Sequence, residues 1–255
     1  LQIYLEKLRM HLFVVTGTSK GLGRALADAL AADAQNAVVE ISRGVWAKNA
    51  RNTALQADFG HLDEVTAAFA ALAQQIAGKH FATATLINNA AVVGPVARFD
   101  QVDAHELAHG MTVNLVAPIV ATQGFANATR GVADQRLVVN ISSGAAKRVI
   151  RGSTAYCAAK AGLEMATRVA AEEAREFDPS LAVVSLAPGI IDTPMQAALR
   201  SSPAERFPDR ARFEGMKSSG ALRDAPDVAR DIIQLLQSNR LANGGNYDIR
   251  ELLNA

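Results

Sequence analysis

The chain has 255 residues, 49% of them hydrophobic, and 26 basic against 25 acidic side chains leave a formal net charge of +1. That length suits one large α/β domain or two small ones, with enough apolar content for a substantial core, and the absence of any basic block or stripe argues against nucleic acid as a partner. No apolar run approaches the ~20 residues that span a bilayer, no signal-peptide pattern stands at the start, and a single cysteine, Cys157, excludes an internal disulfide framework, so a soluble cytoplasmic protein is expected.

Residues 1–10 precede the first strand and are expected to be an upstream extension or an expression remnant. His11 to Thr16 is an apolar strand running into Thr16-Gly17-Thr18-Ser19-Lys20-Gly21-Leu22-Gly23 and a helix from about Leu22 to Ala32. Ala37 to Ser42 is predicted as a second strand ending at Arg43, and Ala54 to Ala57 as a short third before Asp58. Leu62, Val65, Phe69, Leu72 and Ile76 fall at helical spacing within His61 to Ala77. A fourth strand, Ala84 to Asn88, ends in Asn88-Asn89-Ala90-Ala91. A long helix from about Ala104 to Thr129 contains Asn114, with a kink expected at Pro118. Leu137 to Ile141 is the fifth strand and ends in two serines. The helix Ala155 to Glu176 follows, then a sixth strand, Ala182 to Leu186, ending at Pro188-Gly189. Residues 193–220 look less regular. Asp224 to Gln237 is a helix and Asn246 to Ile249 a last strand. Continuously apolar strands alternating with helices predict a parallel sheet covered on both faces. Gly17, Asn88, Ser143 and Pro188 all lie just past strand ends, where such sheets bind ligands.

Tyr156 and Lys160 are four apart, so on a helix they share a face. A phenol loses its proton near pH ~10, and an adjacent ammonium favours the phenolate. Such a tyrosine can give a proton to a carbonyl or take one from an alcohol. Ser143 would supply a second hydrogen bond to the same oxygen if its loop folds back on the helix start. The competing reading is an ordinary surface pair on a helix.

The glycines between the first strand and helix permit φ > 0 and close backbone approach to a pyrophosphate, and the helix start offers free N–H groups. A merely structural turn is the competing reading. Their spacing is Gly-x-x-x-Gly-x-Gly. The second strand ends in Ser42-Arg43 without an acid. An aspartate there would accept hydrogen bonds from a free 2′-hydroxyl, whereas Arg43 and Lys20 would attract a 2′-phosphate, which favours NADP over NAD. Against this, both could be solvated surface cations.

Together the glycine loop, Asn88-Asn89-Ala90, Asn114, Ser143, Tyr156, Lys160 and Pro188-Gly189 resemble the short-chain dehydrogenase/reductase family over about His11 to Asp248. The resemblance implies one Rossmann-type domain, a doubly wound parallel sheet of about seven strands flanked by helices. It implies a tetrad of Asn114, Ser143, Tyr156 and Lys160. In that scheme Tyr156 is the general acid, Ser143 holds the substrate oxygen, and Lys160 binds the nicotinamide ribose and lowers the tyrosine pKa. Asn114 keeps a water in a proton relay, and hydride leaves the nicotinamide B-face. The resemblance implies NADP(H) contacts at Gly17, Ser19, Lys20, Gly21, Leu22, Gly23, Arg43, Asp58 (to the adenine), Phe59, Asn89, Ala90, Ala91, Tyr156, Lys160, Pro188, Gly189, Ile191, Thr193 (to the carboxamide) and Met195. Ala91 departs from the glycine usual in the family. It also implies a homodimer or homotetramer and no metal.

A narrower resemblance joins Val138 to Ser143, Tyr156 to Ala161, Ala187-Pro188-Gly189, Asp192-Thr193-Pro194-Met195-Gln196 and Tyr247-Asp248 to the sepiapterin reductases and their bacterial relatives, which reduce pterin side-chain carbonyls and vicinal diketones. It implies substrate contacts at Ser143, Met195, Gln196 and Asp248, with a loop at about 194–222. Asp248 would anchor the guanidine-like pterin edge; otherwise it is a solvated charge. Two other functions stand beside the reductase: a non-catalytic NADP(H)-binding sensor or docking module, and a zinc metallopeptidase. The second rests on His105-Glu106-Leu107-Ala108-His109, which sets two histidines one helical turn apart but has no histidine downstream to complete the site. Cys157, Met216 and Trp46 are read as packing residues.

Overall fold

The computed structural model describes residues 10–44, 52–238 and 240–253. Trp46 and residues 1–9 lie outside them. Seven strands form one sheet: β1 (His11–Thr16), β2 (Asn36–Ser42), β3 (Thr53–Gln56), β4 (Phe81–Asn88), β5 (Ala133–Ile141), β6 (Leu181–Ala187) and β7 (Asn246–Asp248). Their order is β3-β2-β1-β4-β5-β6-β7, and every neighbouring pair is parallel. The helices are α1 (Gly21–Leu30), α2 (Leu62–Ile76), α3 (Ala104–Met111), α4 (Ala117–Thr129), α5 (Thr154–Phe177), α6 (Pro194–Ser201), α7 (Arg210–Ser218), α8 (Ala225–Leu236) and α9 (Ile249–Leu253).

The alternation of side chains along each strand divides the core in two. Leu12, Val14, Leu86 and Val138 join Phe69, Leu72 and Phe125 on the side of α2 and α4. Val15, Ile87, Val139 and Val184 join Leu26, Ile232 and Leu235 on the side of α1 and α8. Both faces are therefore apolar, as the unbroken hydrophobic strands predict. Glu40, buried in β2, is one of the polar exceptions. It accepts from Arg24 of α1 at 2.7 and 3.0 Å and from Asn52 at 2.7 Å.

Four segments differ from the expected reading. β4 and β5 begin earlier than expected, at Phe81 and Ala133. β5 passes through Arg136, which is buried and bound to the carbonyl of Ala126, to Ser180 and to Asp178. A cation satisfied in that way can sit inside a strand. The long helix is interrupted not at Pro118 but just before it, by a wide π-turn at Thr112–Val116 in which the N–H of Ala117 reaches the carbonyl of Thr112. Pro118 has no N–H to give the carbonyl of Asn114, so the disruption falls on the preceding turn, while proline itself is accommodated in the first turn of α4. Residues 193–220 hold two helices, α6 and α7.

Candidate active site

The chain lays down β1, β2 and β3 outward, then returns to place β4 beside β1. A crevice opens at that switch point, between Thr16-Gly17 and Asn88-Asn89. The Thr16 hydroxyl accepts from the N–H groups of Asn89 and Ala90, both at 3.0 Å, and the Asn89 amide donates to the carbonyls of Thr16 at 3.0 Å and Gly17 at 3.3 Å. The Asn89 side chain is thus engaged in holding the two strand ends together. Gly17 has φ 73°, and a Cβ there would stand 2.7 Å from Ala90 Cα. A Cβ on Gly23 would fall 2.3 Å from the Gly17 carbonyl oxygen. Glycine is the residue both positions accept. Leu22 is buried behind the loop, while Ser19 and Lys20 are exposed on it. The N-cap of α1, Lys20, makes no side-chain cap hydrogen bond, which leaves the N–H groups of the first turn open to a ligand.

Arg43 is exposed beyond β2. Among the described residues neither it nor Lys20 is paired with a carboxylate. Asp58 accepts from the N–H of Gly60 at 2.8 Å, and the Phe59 side chain is in the core, leaving only its backbone for a cofactor. His109 lies against Gly60, where a Cβ would come within 2.7 Å of its ring.

Past β5, Ser143 opens a short turn at Gly144–Ala146 and accepts from the Ala145 N–H at 3.2 Å. The alanine-rich α5 brings Tyr156 and Lys160 to this turn. Lys160 is 3% exposed; its Nζ donates to the Ile141 carbonyl at 2.8 Å and lies 5.7 Å from the centre of the Tyr156 ring. Burial lowers its pKa to about 8. Burial raises that of Tyr156 above the ordinary phenol value, while the Ser143 hydroxyl draws it down and Cys157 raises it further. The lowering of the phenol expected from the ammonium is not found in the free chain, where desolvation is the largest effect and the Ser143 hydroxyl is what opposes it. Asn114 is fully buried in the π-turn. Its side chain accepts from the Val92 N–H at 3.0 Å and donates to the Val92 carbonyl at 2.9 Å. A water would have to use its backbone carbonyl rather than its amide.

Beyond β6, Pro188 and Ile191 are buried and Gly189 has φ 80°. Thr193 caps α6 by accepting from the Gln196 N–H at 3.4 Å, which leaves its hydroxyl proton free. Met195 is half-buried; Gln196 is buried and accepts from Arg200 at 2.8 Å. Asp248 is already occupied: it accepts from the Arg250 N–H at 3.0 Å and from its guanidinium at 2.8 and 2.5 Å, which holds its carboxyl below the usual range despite partial burial. Any substrate donor would have to displace Arg250. A cleft of about 430 Å³ lies between Val92–Val96, Glu106 and His109 of α3, and Ser202, Pro203 and Arg206. Apart from Glu106 and His109 these lining positions carry no motif, and none of them was singled out in the sequence for substrate contact. Among the described residues no group of three histidine, cysteine or carboxylate side chains stands together, so Glu106 and His109 line a cleft without a third zinc ligand. No helix among them is long and apolar enough to cross a membrane.

A glycine-lined crevice at the switch point, with a serine, tyrosine and lysine at the next strand end, defines a nicotinamide-dependent oxidoreductase of the Rossmann class. The short chain dehydrogenase family profile matches residues 11–204, and the chain belongs to that family. It is 36% identical over 96% of its length to the whole of "Benzil reductase ((S)-benzoin forming)" of Bacillus subtilis. It is 30% identical over 92% of its length to 95% of the sepiapterin reductase of Mus musculus. In fold it is similar to the crystal structure of the KRED1-Pglu enzyme, with TM-score 0.81, 24% identity, and 93% of this chain and all of that one covered. The chain is accordingly an oxidoreductase acting on carbonyl and alcohol groups.

Proposed function

We propose that this protein is an NADPH-dependent reductase of vicinal diketones and related ketones, with Tyr156 as its general acid. The observation that carries the reading is the meeting of Tyr156, Ser143 and Lys160 at one strand end beside the glycine crevice. The crevice fits a dinucleotide, since the space that side chains at Gly17 and Gly23 would fill is left for backbone and pyrophosphate. Gly17 to Gly23 and the start of α1 would hold the pyrophosphate, Asp58 and the Phe59 backbone the adenine, and Ala90, Ala91, Gly189 and Thr193 the nicotinamide half. The exposed Lys20 and Arg43, with no acid ending β2, favour a 2′-phosphate and hence NADP(H). Bound NADPH supplies hydride to the carbonyl carbon.

The chain's own groups manage the proton. Ser143 and Tyr156 direct their hydroxyls at the substrate oxygen, as a preorganised oxyanion site, and Tyr156 gives its proton as negative charge develops there. The Lys160 ammonium stabilises the resulting phenolate and holds the ribose. The Asn114 carbonyl, denied an N–H by Pro118, receives a water through which the proton is replenished. Substrate substituents would extend into the cleft between Val92–Val96 and Arg206. Support for diketones comes from the likeness to the Bacillus enzyme over 96% of this chain and the whole of that one.

The test is turnover of benzil with NADPH and with NADH, by the native protein and Tyr156→Phe. NADPH should be the better reductant. The variant should lose at least ~100-fold in kcat while still binding NADPH. Near-native turnover by the variant would refute the assignment of the acid.

A further inference from the structure

The carboxylate of Glu164 takes no part in the chemistry above, yet it lies one helical turn beyond Lys160 and two beyond Tyr156 on the same face of α5. It is 9% exposed. Its oxygens have separate partners. The Ser142 hydroxyl donates to Oε1 at 2.8 Å, and the Asn246 amide donates to Oε2 at 3.4 Å. Ser142, itself buried, stands between two residues tied to the same helix. The Ile141 carbonyl accepts from Lys160, and the Ser143 hydroxyl acts on Tyr156. Three consecutive residues at the end of β5 are thus met by three side chains spaced four apart on α5. Asn246 extends the link to β7.

An ionised carboxylate is a costly way to fill such a space, because it must be desolvated, and an apolar side chain of similar volume avoids that cost. What the carboxylate adds is direction. It fixes the Ser142 hydroxyl, and with it the chain torsion that aims the next residue. We propose that Glu164 is a positioning residue for Ser143, acting through Ser142, so that the hydroxyl meeting the substrate oxygen is held by a buried link from α5 to β5 and β7. The role deepens the reductase reading and rests on it.

The experiment compares Glu164→Ala, Glu164→Gln, Ser142→Ala and the Glu164→Ala/Ser142→Ala pair. Benzil reduction is read alongside an ultraviolet titration of the Tyr156 phenol, assigned by difference from Tyr156→Phe. Glu164→Ala should lower kcat about tenfold, the scale of a sub-ångström misplacement, with KM for NADPH unchanged. Glu164→Gln should recover most of that loss. Its amide oxygen can accept from Ser142, and its NH2 can donate to the Asn246 Oδ1, now buried without a partner, once the Asn246 amide turns over to face it. The double variant should be no worse than the poorer single one, since both cut one link.

The phenol titration should move up in Glu164→Ala and return in Glu164→Gln, because a displaced Ser143 no longer draws it down. The titratable groups beside that phenol are Cys157 and Lys160 on its own helix; the strand side faces it with the neutral Ser143. This second reading needs no turnover. If the native protein leaves benzil untouched but the phenol moves as described, the substrate reading fails and the positioning role stands. Native kcat and an unmoved phenol in Glu164→Ala would overturn the proposal. If Glu164→Ala does not fold, Ser142→Ala carries the same two expectations.

Discussion

Lys160 shows how one residue's surroundings set the direction of the chemistry. Its burial brings its pKa from 10.5 to about 8, while burial pushes Tyr156 the other way. Near neutrality the pair is therefore an ammonium beside a protonated phenol, which is the state a carbonyl reduction consumes. As pH rises through about 8 the ammonium is lost, and with it the stabilisation of the phenolate proposed for it. We expect kcat for benzil reduction to fall along a limb centred near pH ~8, read from a pH–rate profile. A flat profile across that range would contradict the role given to Lys160. Stability carries the opposite sign. Between about 8 and 10.5 the folded chain binds fewer protons than the unfolded one, so the penalty for burying Lys160 shrinks as pH rises. Ser143, Tyr156 and Lys160 were legible in the sequence because their spacing has a chemical meaning of its own. Glu164 was not, because a glutamate on an alanine-rich helix reads as solvated, and what buries it comes from Ser142 and Asn246, far away in the chain. Asp248 was visible as a charge, but nothing in its spacing announces that Arg250 takes it up.

Elements reach the site through short, strict junctions. The turn from β1 into α1 is the tightest, since a side chain on Gly23 would overlap the Gly17 carbonyl. Gly23→Ala should weaken NADPH binding by at least ~10-fold, measured by titration of cofactor fluorescence, because the overlap moves the N–H groups proposed to hold the pyrophosphate. An unaltered affinity would show that the loop yields without consequence. The glycine pattern, strand ends and helix order could be read from hydrophobic periodicity. The break in the Asn114 helix could be anticipated but not placed. Proline's missing N–H is a local fact, whereas the widening of the turn before it also depends on the clamp between Asn114 and the Val92 backbone, formed only in the folded chain. The early start of β5 escaped detection for a similar reason, since Arg136 looks like an end signal until its buried partners are known.

At the scale of the whole molecule, both faces of the sheet are covered, yet α4 and α5 keep an apolar exterior. Val116 just before α4, Ile119 on it, and Met165 and Val169 on α5 are exposed, the last two at 51% and 50%. We propose that this surface joins copies of the chain. Met165→Asp should then lower the mass found by analytical ultracentrifugation to that of one chain, with the fold intact by circular dichroism. An identical mass would place any association elsewhere. The sequence indicated small and apolar residues along these helices, but which of them face outward emerges only once the sheet has taken up the rest.

The turn just ahead of the Tyr156 helix is also the seat of the segment that lines the cleft. Gly152 has φ 82°, a Cβ on it would lie 2.6 Å from the Arg206 carbonyl oxygen, and Phe207 beside it is fully buried. Arg151 binds Asp209 through its side chain at 2.7 Å and its N–H at 3.1 Å. Residues 150–153 and 206–209 therefore behave as one mechanical part. Anyone grafting a relative's loop to redirect this enzyme toward bulkier ketones would have to transplant both pieces together, because either alone would tilt the helix that carries Tyr156.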